Sequence, residues 1–274
     1  MKFIDINYFK KLKTDEDIEN YVKNRLNYLE KKSEKKLISA LTGIKSGYIT
    51  KDSPIHASLI FSSPFYLDDF NLYVKFVKHL KQFNREKSSE NIIDLDVFTL
   101  ICSMFVIDLF YDSSKKTIDR HDLYDLKAEL SIRDFYKNGS AKCIEKSAVM
   151  HNLLCFLGIP SNLIIGELKL KGEEEGEEEL HAYNIVNDPK KNLWLVDFTN
   201  YVKVINKAGI KTTVPTLMKL NTQDINELDI INVDSESVAR AYEHYNFKKD
   251  LNDKKRVYTM PPSFLCSTKK KSLK

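Results

Sequence analysis

No Cys-x-x-Cys pair occurs in this chain of 274 residues, and its four cysteines (Cys102, Cys143, Cys155 and Cys266) are too few and too scattered for a disulfide framework. A structural zinc site needs closely spaced thiol or imidazole ligands, so that class is excluded as well. No calcium-loop pattern is present, and no metal or other cofactor is expected. Long apolar runs are also lacking. The longest, Val97 to Phe110, contains Asp108 and falls short of the ~20 residues that span a bilayer. It reads as a buried helix. The N-terminus (Met1-Lys2-Phe3-Ile4-Asp5-Ile6-Asn7) is broken by charge before an apolar core can form, so no secretory signal is visible. A reducing, cytoplasmic setting follows as the expectation.

A large charge imbalance is missing too. Forty-three basic residues face 39 acidic ones, giving a net charge of +4, and no element concentrates the basic residues as a nucleic-acid-binding surface would. Hydrophobic residues make up 42% of the chain, enough for a folded core and far from the composition of a disordered protein.

Periodicity divides the chain into three parts. Residues 1–91 read as a helical N-terminal region. Asp15 to Lys36 carries Ile18, Tyr21, Val22, Arg25, Leu26 and Leu29 as a stripe at helical spacing, and Thr14 with Asp17 forms an N-cap box. His56 to Phe61 is a short strand or connector between two Ser-Pro breaks. Asp68 to Phe83 is a second amphipathic helix, and Lys87-Ser88-Ser89-Glu90 is the boundary. Residues 92–205 change in texture. Helices are predicted over Asp94 to Tyr111 and Asp122 to Tyr136, the latter closed by Asn138-Gly139. A helix from Cys143 to Leu157 then ends at Gly158-Ile159-Pro160. Strands follow at Leu163 to Leu170, Leu180 to Asn187 and Leu193 to Phe198. Residues 206–274 read as a mostly helical extension, with a stretch such as Ser235 to Tyr245 and a disordered Lys-rich tail; a further short strand covers Tyr201 to Ile205. The expected fold class is therefore α+β. Between the first two strands lies Gly172 to Glu179, with six glutamates in eight residues, a solvated loop that cannot pack against itself.

Three residues carry chemistry. Cys143 stands where a helix begins, and unpaired N–H groups and the helix dipole there favour an anion. Lys142 and Lys146 add positive charge. The other cysteines read as inert: Cys155 is mid-helix on an apolar stretch, Cys102 lies inside the buried helix, and Cys266 has no partner in the pattern. His181 is near the start of a strand, at the sheet rim, with Tyr183 on the same face. Asp197 ends the apolar run Leu193-Trp194-Leu195-Val196, where a carboxylate must be paired or wet. Orienting an imidazole satisfies it. Thiol, imidazole and carboxylate together are the parts of a nucleophilic acyl-transfer site.

With Leu157-Gly158-Ile159-Pro160, His181-Ala182-Tyr183-Asn184 and Trp194-Leu195-Val196-Asp197-Phe198-Thr199 added, the chain resembles the transglutaminase-like superfamily over about residues 92–205. The family pattern places Gly-x-Cys at the helix start, Leu-Gly-Ile-Pro at its end, His-Ala-Trp on one strand and Trp-x-x-x-Asp-Pro-Thr on the next. Here Ala141 stands where the glycine belongs, Tyr183 replaces the tryptophan and Phe198 the proline. The resemblance implies a papain-like core, a nucleophile helix packed on an antiparallel sheet. It also implies a catalytic triad of Cys143 as nucleophile, His181 as base and acid, and Asp197 as the orienting carboxylate. Family members commonly complete the oxyanion hole with a side chain upstream of the nucleophile, for which Tyr136 and Asn138 are the candidates here. The implied activity is cysteine-dependent acyl transfer on an amide or peptide bond of a protein or peptide substrate, as protease, amidase or deamidase. Amine transfer by a transglutaminase uses the same triad. A non-catalytic binding module and an intracellular effector or toxin are the other readings, the latter compatible with the missing signal and the helical flanks.

Overall fold

A computed structural model of the chain describes Phe9 and residues 11–30, 59–62, 69–86, 105–106, 109, 132–138, 141–170, 179–187, 193–206, 211–220, 227–229, 247–249 and 256–259. The described residues form an α+β arrangement of four helices and an antiparallel sheet. The helices are α1 (Asp15–Glu30), α2 (Phe70–Glu86), α3 (Ile132–Asn138) and α4 (Cys143–Leu157). The strands are β1 (Leu59–Phe61), β2 (Ser161–Leu170), β3 (Glu179–Asn187), β4 (Leu193–Asn206), β5 (Lys211–Leu220), β6 (Glu227–Asp229), β7 (Phe247–Lys249) and β8 (Arg256–Thr259). The strand order is β5-β4-β3-β2-β8-β6, with β1 pairing with β2 and β7 with β4.

At the centre of the molecule stands α4. Thirteen of its fifteen residues are buried, and an apolar helix with no polar face must be covered on every side. One side packs on β3, β2 and β4. The other receives α1 and α2, whose Tyr21 and Tyr73 rings meet Phe156 at centroid distances of 5.7 and 4.8 Å. Met150, Leu153 and Leu154 are fully buried, each contributing about 1.5–3 kcal/mol by leaving water.

Local chemistry fixes the helix ends. Thr14 and Asp17 form the reciprocal N-terminal box: the Asp17 N–H donates to Thr14 Oγ1 at 3.1 Å, and the Thr14 N–H donates to the Asp17 carboxylate at 2.9 Å. At the C-terminus of α4, Gly158 takes a left-handed conformation with φ 79° and closes the helix onto Cys155 and Leu154 carbonyls. Arg25 of α1 completes this cap, its Nε donating to the Phe156 carbonyl at 2.7 Å. A guanidinium at the negative end of a buried helix is well placed. Arg25→Ala should therefore lower the unfolding free energy by about 1–2 kcal/mol in a urea titration, since a charge-assisted bond and a dipole contact are lost together.

Two features depart from the sequence reading. The described residues beyond Asn206 are strands, not helix, and β5 runs along β4 from Leu193 to Ile205. Thr212, Thr213, Val214 and Thr216 are β-branched, and pairing to an existing strand decides such a segment more strongly than local pattern does. The strands expected at Leu193 to Phe198 and Tyr201 to Ile205 are one strand with an irregularity between them. The register slips between Asp197, opposite Thr216, and Tyr201, opposite Pro215. Proline lacks the N–H of a regular ladder and suits such a bulge. The N-terminal region also contributes to the central sheet through β1, whose Ile60 pairs with Ile164. The Lys87–Glu90 boundary, most of the 94–111 helix, the first part of the 122–136 helix, the acidic loop at 172–178, the 235–245 helix and the Lys-rich tail lie outside the described residues.

Candidate functional site

Cys143 is the first residue of α4, preceded by Lys142 in extended backbone. The Lys142 side chain, an ammonium with no lone pair to offer, makes no cap bond. Glu145 supplies one arm of a capping box instead, its carboxylate accepting the Lys142 N–H at 2.9 Å. That bond fixes the backbone directly ahead of the thiol. Cys143 and Ala141 are partly exposed and Lys142 between them is exposed, while the residues that follow in the first turn are buried.

Expected at the sheet rim, His181 instead lies within the β2–β3 ladder, opposite Gly166, and is buried. Directly opposed residues share a face of the sheet, so the glycine leaves the imidazole with no cross-strand side chain from β2. Tyr183, two residues on, stacks with the ring at a centroid distance of 6.3 Å. Asp197 is 1% exposed, immediately beyond Val196, the last described residue of β4 paired with β3. The β4–β5 register slips just beyond Asp197, and the Asp197 carboxylate meets His181 Nε2 at 2.7 Å. Cys143 is close enough to the same imidazole to favour its protonated form. Because Nε2 is taken by the carboxylate, Nδ1 is the nitrogen left for sulfur.

The three residues singled out in the sequence thus meet around one imidazole, hydrogen-bonded to Asp197 and influenced by Cys143, and the electrostatics follow from it. Burial alone pulls the imidazole pKa down and is the largest single effect. The charge and hydrogen bond of Asp197, followed by the bond and charge of Cys143, outweigh it together and raise His181 to about 10. The ring is accordingly an imidazolium at neutral pH, held between a carboxylate and a sulfur.

Cys155, partly buried like Cys143, shows a thiol without that setting. It lies 3.7 Å from His151, yet burial pushes it up to about 12, with Arg25 opposing. The candidate oxyanion donors are occupied elsewhere. Tyr136 donates to the buried Asp69, and Asn138 Nδ2 donates to the Asp134 carbonyl at 2.7 Å within its own helix. Asp69 also accepts the Leu72 N–H at the start of α2, so Tyr136 acts as a tie between α3 and α2.

Sequence reasoning missed Ser147, Asn184 and the bulge after Asp197. Only the Pro215 of the bulge left a trace in the sequence. Among the described residues no group of three or more His, Cys, Asp or Glu side chains could hold a metal ion, and no helix is long and apolar enough to cross a membrane. Comparison with protein-family models, curated proteins and solved structures finds no significant match to this chain.

Proposed function

We propose that this protein is a cysteine-dependent acyl-transfer enzyme that cleaves amide or peptide bonds of a protein or peptide substrate, built on a papain-like core of the transglutaminase-like kind. The observation that carries this reading is the meeting of Cys143, His181 and Asp197, with a buried imidazole hydrogen-bonded to the carboxylate and influenced by a half-exposed cysteine at the start of α4.

Each residue then has a role. The Cys143 sulfur, as thiolate, attacks the carbonyl carbon and forms the carbon–sulfur bond while the carbonyl π pair moves onto oxygen. Unpaired backbone N–H groups at a helix start such as that of α4 are the donors that would stabilise this charge. As the tetrahedral species collapses, the carbon–nitrogen bond breaks and the His181 imidazolium gives its proton to the departing amine. Water, deprotonated by the now neutral imidazole, hydrolyses the thioester and returns the thiolate–imidazolium pair. Asp197 remains ionised throughout and holds the ring in the orientation that serves both half-reactions.

Incubating candidate proteomes with the wild type or Cys143→Ala and comparing peptides by mass spectrometry tests the reading. New termini, deamidated glutamine or asparagine, and cross-linked peptides identify protease, deamidase and transglutaminase chemistry respectively. Identical spectra from wild type and variant would remove the enzymatic reading in favour of a binding module.

A further inference from the structure

Between α4 and the sheet, in otherwise apolar packing, lies a second polar link that the reaction does not use. Ser147 stands one turn beyond Cys143 on the same side of the helix. Its hydroxyl donates to the Ala182 carbonyl at 2.9 Å, and Ala182 is the residue after His181. Asn184 returns the contact, its Nδ2 donating to the Ser147 carbonyl at 3.0 Å. Ser147, Ala182 and Asn184 are 1%, 2% and 0% exposed. No water competes for these bonds. The Asn184 Oδ1 has no hydrogen-bond partner among the described residues, so the amide carries a desolvation cost that valine or leucine would not.

Apolar contacts are non-directional and tolerate small slips; paired hydrogen bonds do not. A slip of α4 by one residue moves it about 1.5 Å along its axis, enough to break both bonds. A displacement of about 1 Å is also what separates a productive pair of reacting groups from an unproductive one. We propose that Ser147 and Asn184 are positioning residues that lock the helix bearing Cys143 to the strand bearing His181 and so set the sulfur–imidazole separation. This inference rests on the reading of Cys143 and His181 as a reacting pair.

The test is the pH profile of Cys143 alkylation by iodoacetamide in the intact full-length protein, followed by mass spectrometry, alongside the unfolding midpoint of each variant. Ser147→Ala and Asn184→Ala should remain folded and label Cys143 on the order of tenfold more slowly than wild type at about pH 6, with the profile displaced to higher pH. Ser147→Thr, which keeps the hydroxyl, should recover the wild-type profile. Folded Ser147→Ala and Asn184→Ala proteins with wild-type profiles would overturn the proposal alone. Loss of folding in both would also overturn it, because the link would then be structural. A wild-type Cys143 that labels like an ordinary thiol would instead overturn the acyl-transfer reading, and this proposal with it.

Discussion

Iodoacetamide at about pH 6 should modify Cys143 of the wild-type protein on the order of 10- to 100-fold faster than it modifies Cys143 of His181→Gln. The expectation follows from charge balance. A buried carboxylate hydrogen-bonded to His181 favours its protonated form, and Cys143 adds to this. The thiolate is the reactive form, and a neutral side chain in place of the imidazole removes the nearby positive charge that favours it. The gain is not larger because a more stable thiolate is a weaker nucleophile. Cys155 is an internal control in the same helix. Burial raises it to about 12, and it should remain unmodified in both proteins while they are folded. Equal, slow labelling of the two cysteines in wild type would sink the activated-nucleophile reading.

The second large effect is on stability. The imidazole pKa is raised from 6.5 to about 10 in the fold, so folding favours the protonated ring. Below the unfolded value both states are protonated and the stabilisation is fully present. As pH rises from there through the folded value, the unfolded chain gives up its proton first and the stabilisation is lost. Wild-type stability should fall by on the order of 1 kcal/mol per pH unit within this window, and by several kcal/mol across all of it. Thermal melts between about pH 6.5 and pH 8.5 isolate the effect, because Cys155, raised above its ordinary 9.0, acts in the same direction only at higher pH. In Asp197→Asn the carboxylate is gone and desolvation, the largest single influence on the ring, becomes dominant. The slope should then flatten or reverse sign. A variant that keeps the wild-type slope would show that the His181–Asp197 contact does not control the imidazole.

Both predictions bear on how a charged His–Asp pair can occupy so closed a place. His181 and Asp197 are 6% and 1% exposed, and a buried ion pair is favourable only when its geometry is good and its members are otherwise satisfied. The bulge beyond Asp197 contributes here. The described β3–β4 pairing ends at Val196 and the β4–β5 register slips after Asp197, so the carboxylate sits at an irregular point of the sheet within reach of the imidazole. The thiol, partly exposed at the helix start, is the member that can meet a substrate.

Cys143, His181 and Asp197 were legible in the sequence because each is a reactive or costly side chain at a recognisable local position: a helix start, a strand and the end of an apolar run. Gly158-Ile159-Pro160 marked the helix exit for an equally local reason, since only a residue tolerant of φ 79° closes α4 there. The Thr14–Asp17 box was readable in the same way, as were the amphipathic stripes of α1 and α2. These features depend on neighbours within about four residues, and such neighbours are written in the sequence. The α+β class follows from the same local signals. The tertiary structure alone decided that β5 extends β4, that β1 joins β2, that Arg25 caps a helix 130 residues away, and that Tyr136 serves Asp69 rather than an oxyanion. It also decided that Ser147 and Asn184 link the two elements of the site. Serine, asparagine and arginine occur on many surfaces and leave no periodic trace. Their roles are set by partners brought close through packing of the core, and so become visible only once the chain has folded.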